Sequence, residues 1–75
     1  MKNYTVAIEK MGESVSNPSS VYPQTFTDFN KAVNSFKQAI DSYLNGVDYP
    51  TVNESDNYVD AGGLGHDYRV IFEAK

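Results

Sequence analysis

Apolar and polar residues alternate through Tyr4-Thr5-Val6-Ala7-Ile8-Glu9, which puts Tyr4, Val6 and Ile8 on one face and Thr5, Ala7 and Glu9 on the other. A period of two predicts a strand over 4–9, ended by Met11-Gly12. From Glu13 to Gln24 the chain is rich in Ser, Asn and Pro, with turn chemistry at Asn17-Pro18-Ser19-Ser20. Val15, Val21 and Tyr22 suffice for a short or edge strand there, and Pro18 and Pro23 keep it short. The period then changes. Phe29, Ala32, Val33, Phe36, Ile40, Tyr43 and Leu44 recur at three- and four-residue steps, the stripe of an amphipathic helix over 27–45. Thr25 or Thr27 marks its start, Asp28 suits the positive end of the helix dipole, and Gly46 is a left-handed cap. Asn30, Asn34, Lys37, Gln38, Asp41 and Asn45 form the wet face.

After a loop beginning at Asp48-Tyr49-Pro50, a hairpin is predicted over 57–74. Its strands are Asn57 to Ala61 and Tyr68 to Ala74, joined by Gly62-Gly63-Leu64-Gly65-His66-Asp67. In the last strand Tyr68, Val70 and Phe72 share one face, and Asp67, Arg69, Ile71 and Glu73 the other. The predicted fold is α+β, one helix packed on a small, mostly antiparallel sheet in the order β-(β)-α-β-β.

Seventy-five residues make room for one small domain, 1–75, whose stability margin is thin because so short a chain buries only about 60% of its unfolded surface. There is no cysteine and only one histidine, so disulfides, thiolate metal sites and imidazole-rich sites are all excluded. No stretch approaches the roughly 20 apolar residues of a membrane span, and Met1 to Lys10 is too weakly apolar for a signal peptide.

Three patterns suggest chemistry, and each has a plainer explanation. Gly62-Gly63-Leu64-Gly65 resembles a phosphate loop, but the glycines lie between strands and no Lys or Ser/Thr follows; a hairpin needing positive φ accounts for them. His66-Asp67 resembles part of a catalytic relay, yet neighbouring strand residues point to opposite faces and no activated nucleophile accompanies them, leaving a solvated loop histidine. Glu54, Asp56, Asp60 and Asp67 lack the spacing of a calcium loop. No catalytic residue, no metal and no cofactor are therefore expected.

The charge is what changes the picture. Ten acids face six bases, a net charge of −4, which argues against direct binding to nucleic acid. Residues 1–45 balance to zero, so the whole excess lies in residues 46–75. From Asp48 to Asp67 there are five acids and no base, with Tyr49, Tyr58 and Tyr68 set among or beside them. Carboxylates speed encounter with a basic partner and tyrosines supply contact area. The plainer alternative is a solvated sheet face. The predicted partner-binding set is Asp48, Tyr49, Glu54, Asp56, Tyr58, Asp60, Asp67 and Glu73, with Tyr68 as a further anchor.

Two likenesses bear on function. Tyr4-Thr5-Val6-Ala7-Ile8-Glu9-Lys10, with Thr25-Phe26-Thr27-Asp28-Phe29 and Ala39-Ile40-Asp41-Ser42-Tyr43-Leu44, resembles the strand–helix half of HicB-type antitoxins over residues 1–45. In kind rather than by motif, the short, acidic, cysteine-free chain resembles the inhibitors of phages and mobile elements, among them anti-CRISPR proteins and DNA mimics. The resemblances imply a non-enzymatic inhibitor in the host bacterial cytosol, blocking a basic nucleic-acid-binding protein. The alternatives are a HicB-like antitoxin and a homo-oligomeric assembly module, a homodimer in its simplest form.

Overall fold

The two-residue and 3.6-residue periods meet on one side of a single sheet. The computed structural model describes residues 2–10 and 23–75. In chain order these form β1 (Tyr4–Lys10), β2 (Gln24–Phe26), α1 (Phe29–Tyr43), β3 (Tyr58–Gly62) and β4 (Tyr68–Ala74). The strands pair antiparallel throughout, in the spatial order β2-β1-β4-β3. The first and last strands are thus the central pair, and the α+β architecture is the expected one.

Register decides which side chains the helix covers. Tyr4 lies opposite Ala74, Val6 opposite Phe72 and Ile8 opposite Val70. All six are buried, in one cluster with Ala32, Phe36, Ala39, Ile40 and Leu44. Phe72 is wholly buried at its centre, with the rings of Tyr4, Phe36 and Phe29 at centroid distances of 5.7, 5.9 and 6.2 Å. The Phe36 and Phe29 contacts are edge-to-face, an arrangement that adds roughly 0.5–1.5 kcal/mol per pair beyond area burial. The polar helix residues Asn30, Asn34, Lys37, Gln38 and Asp41 are all exposed, as is Asn45 just beyond the helix.

The apolar stripe is wider than the sequence pattern indicates. Ala39 and Ser35 are buried too, and the Ser35 hydroxyl donates to Gln24 Oε1 at 2.7 Å. That bond satisfies the one buried polar side chain of the helix and ties it to β2 at the sheet edge. A hydroxyl in a buried stripe is invisible to a search for apolar periodicity.

Element ends moved for identifiable reasons. The helix spans Phe29–Tyr43, not 27–45. Thr25 is paired with Thr5 inside β2, so neither it nor Thr27 starts the helix. Asp28 is the N-cap: its carboxylate accepts from the N–H groups of Asn30 at 2.9 Å and Lys31 at 3.4 Å. At the other end the cap is Leu44, extended, its N–H donating to Ile40 O at 2.8 Å. Burial of the Leu44 side chain draws the chain inward before Gly46, whose φ of +74° comes two residues after the cap. β1 runs one residue longer than 4–9 and β3 lies one residue later than expected, while β4 has the expected bounds, with Asp67 in the turn before it. The short strand proposed around Val15, Val21 and Tyr22 falls outside the described residues; the described strand nearby is Gln24–Phe26.

Gly62 joins the helix end to the hairpin. Its φ is +86°, and a Cβ there would lie 2.6 Å from Tyr68 O and 2.8 and 2.9 Å from the Leu44 methyls. Gly65 also has positive φ, +85°, but a Cβ would meet nothing within 4 Å. Gly65→Ala therefore carries only backbone strain, about 1–2 kcal/mol. Gly62→Ala adds a steric conflict with main chain and core, costing about 1–3 kcal/mol more. Urea unfolding of both variants measures the difference; equal destabilisation would refute the close packing at Gly62.

Candidate functional site

The helix packs on one sheet face, and on the other antiparallel register arranges the side chains in three rungs. Glu9, Arg69 and Gly62 form the first, Ala7, Ile71 and Asp60 the second, and Thr5, Glu73 and Tyr58 the third. Alternation dictates this: once Val70 and Phe72 point at the helix, Arg69, Ile71 and Glu73 must point away. Arg69 Nη2 donates to Glu9 Oε1 at 2.7 Å, bridging β4 to β1. Tyr58 Oη donates to Asp60 Oδ2 at 3.1 Å along β3. Between these polar pairs Ile71 is only 8% exposed, an apolar residue outside the helix-side cluster.

The electrostatics follow from these contacts. The Glu9 hydrogen bond holds the Arg69 guanidinium even more firmly protonated than usual, against the opposing effect of burial. Arg69 Nε is buried and has no hydrogen-bond partner among the described residues. Burial raises the Tyr58 phenol above its ordinary value, helped by the hydrogen bond and the charge of Asp60 and opposed by Arg69. Among the described residues the face carries Glu9, Asp60 and Glu73 against Arg69, so it remains acidic after the Arg69–Glu9 pair is formed.

Of the eight residues predicted to bind a partner, three meet on this face: Tyr58, Asp60 and Glu73. The others do not join them. Tyr49 donates to Asp41 Oδ1 on the wet side of α1, and Lys37 Nζ stands 5.9 Å from its ring centroid. Tyr49 therefore belongs to the helix side of the molecule, and Asp48 before it is exposed in the loop after the helix. Asp56 closes a turn, its Oδ2 accepting the Asn53 N–H at 2.8 Å while its own N–H donates to Asn53 O at 3.0 Å. Glu54 is exposed within that turn, and its carbonyl accepts from Lys2 Nζ at 2.9 Å. Asp67 is exposed at the foot of β4. Tyr68 faces inward, its ring 5.1 Å from that of Tyr43, and cannot be an outer anchor.

Sequence reasoning missed Glu9 and Arg69 as members of this surface. The alternation of β1 and β4 carried the signal, but only the β1–β4 pairing makes the two side chains neighbours. The tally of five acids without a base likewise concealed Arg69 on the same sheet face and Lys2 beside Glu54. His66 is exposed in the hairpin turn, its N–H donating to Gly63 O at 2.8 Å. Among the described residues no three His, Cys, Asp or Glu side chains gather as a metal site would require, no pocket is formed, and no helix is long and apolar enough to cross a membrane. The chain matches no family model, no curated protein and no solved structure.

The Tyr49–Asp41 contact makes a pH prediction. The hydrogen bond to Asp41, with smaller contributions from desolvation and from the Asp41 charge, raises the Tyr49 phenol above the ordinary tyrosine value of about 10. A raised pKa means that folding favours the neutral phenol, so the stabilisation is complete below the unfolded value and is lost as pH rises through the folded one. In an alkaline titration followed by tyrosinate absorbance, Asp41→Asn should move one tyrosine down toward the ordinary range. An unchanged titration curve would remove the contact.

Proposed function

We propose that this chain is a non-enzymatic binding protein of phage or mobile-element origin that inhibits a basic, nucleic-acid-binding host protein in the bacterial cytosol. What supports the reading is the acidic outer sheet face, where Tyr58, Asp60 and Glu73 stand on adjacent paired strands. Strand register fixes where the two carboxylates leave the backbone, so they can stand where phosphates would otherwise sit on a cationic groove. Tyr58, about half exposed, offers apolar contact area with a polar tip. Arg69, already held by Glu9, lends the face rigidity without cancelling its sign.

This reading moves the testable surface. Asp56 holds a turn together, so replacing it would confound binding with local structure. Asp60→Asn with Glu73→Gln leaves the backbone and the Arg69–Glu9 pair intact. As bait in bacterial lysate at low salt, the native chain should retain a basic nucleic-acid-binding protein and release it at high salt. The double variant should lose it. Equal capture by both baits, or capture indifferent to salt, overturns the proposal.

One observation favours a second reading, assembly through a sheet edge. Asn57 O accepts from Ala74 N–H, and Gly63 N–H donates to Tyr68 O. With the β3–β4 register, these bonds leave the main-chain groups of Tyr58, Asp60 and Gly62 facing the side of β3 that no described strand pairs with. A second copy could add there, although antiparallel pairing centred on Asp60 sets two carboxylates opposite each other. Sedimentation across a concentration series separates the readings: a mass independent of concentration and equal to one chain rules out edge assembly.

A further inference from the structure

We propose that Asn45-Gly46 is a spontaneous modification site, at which the asparagine converts to aspartyl and isoaspartyl forms through a cyclic succinimide. The inference is independent of the proposed function. The reaction requires the main-chain nitrogen of the following residue to attack the asparagine side-chain carbonyl, and three conditions govern it. The attacking N–H must not be held in a hydrogen bond, the following residue must not block the approach, and the backbone must be free to bring the two groups together.

Asn45-Gly46 meets all three. Both residues are exposed. They lie beyond the Leu44 cap, so the helix ladder no longer claims the Gly46 N–H, and it makes no hydrogen bond among the described residues. Gly46 has no side chain, and even a Cβ added to it would meet nothing within 4 Å. Its φ of +74° lies in the region where glycine alone moves without strain.

The other described asparagines fail at least one condition. Asn30 and Asn34 are inside α1, and the N–H of Lys31 is engaged by Asp28 Oδ1. Asn3, Asn53 and Asn57 are followed by Tyr4, Glu54 and Tyr58, whose side chains obstruct the approach. The selectivity therefore comes from the fold as well as from the dipeptide.

Water and a base from the solvent are the only co-reactants. The Gly46 nitrogen gives up its proton and bonds to Asn45 Cγ, the Cγ–Nδ2 bond breaks, and ammonia leaves. Water then opens the ring. Cleavage between Cγ and the nitrogen yields aspartate, whereas cleavage at the Asn45 main-chain carbonyl yields isoaspartate. Either product makes the net charge of −4 one unit more negative, near Asp41 and Asp48. The isoaspartyl form also lengthens the main chain by one carbon between Leu44 and Val47, both packed against the core.

The test uses the folded chain alone in warm, mildly alkaline buffer, with peptide mapping by mass spectrometry at intervals. The peptide containing Asn45 should gain a single mass unit and split into two chromatographic products, at a rate comparable to that of the chain in denaturant. Asn34 should gain mass only in denaturant. Asn45→Gln, at an exposed position that leaves the fold unchanged, should abolish the early mass gain and the matching shift on a native gel. Protection of Asn45 in the folded chain, or an earlier gain at another asparagine, overturns the assignment.

Discussion

The burial of Phe72 is the interaction on which the rest depends. It sits on β4, one of the two central strands, and Tyr4, Phe29 and Phe36 close around it from β1 and from α1. Chains of this size have total stabilities of about 4–11 kcal/mol, at 0.05–0.15 kcal/mol per residue. Truncating one buried Phe costs about 3–5 kcal/mol. A single ring therefore accounts for much of the margin, and its direction sets every other side chain of β4. With Phe72 inward, Arg69, Ile71 and Glu73 are committed to the opposite face. The core and the candidate surface are two consequences of one alternation.

The periphery is held by contacts that secure this arrangement. Ser35 and Gln24 attach the helix to β2, a strand of only three residues that could not persist by its own ladder. Leu44 closes the far end of the helix over Gly62, and the absence of a Cβ there lets the end of α1 approach the hairpin. Asp28 orders the first helical turn just after β2 ends. Each contact is local and modest. Together they orient the helix so that Phe36 and Phe29 meet Phe72 at their edges.

Sequence periodicity carried the inward faces of β1, α1 and β4 almost residue by residue, because burial on one side imposes the same period on all three. Termini were less legible. Thr25, Thr27 and Asp28 are all competent caps, and only the strand pairing of Thr25 and the reach of the Asp28 carboxylate separate them. The hairpin pairing of β3 with β4 was legible from its turn, whereas the central pairing was not: nothing in residues 1–10 announces that Glu9 will meet Arg69 sixty positions later. For the same reason a count of acids along the chain could not distinguish residues that share a face from residues that are merely consecutive. Asp56 and Tyr49 illustrate the difference, one engaged in its own turn and the other laid against the helix.

That difference constrains any partner. Tyr49 and Asp41 lie on the helix side of the molecule, whereas Tyr58, Asp60 and Glu73 lie across the sheet from it, so one flat surface cannot engage both groups. Only the second group is built on paired strands, where main-chain hydrogen bonds fix the register of Asp60 and Glu73 before any encounter. The first depends on a side-chain contact that solvent can exchange. Rigid placement counts most when the opposing charges are themselves fixed, as on a cationic nucleic-acid groove, because every charge pair then forms without further ordering. The acidic excess has its strongest physical claim to recognition at Asp60 and Glu73, and its weakest at the loop acids that dominate the count along the chain.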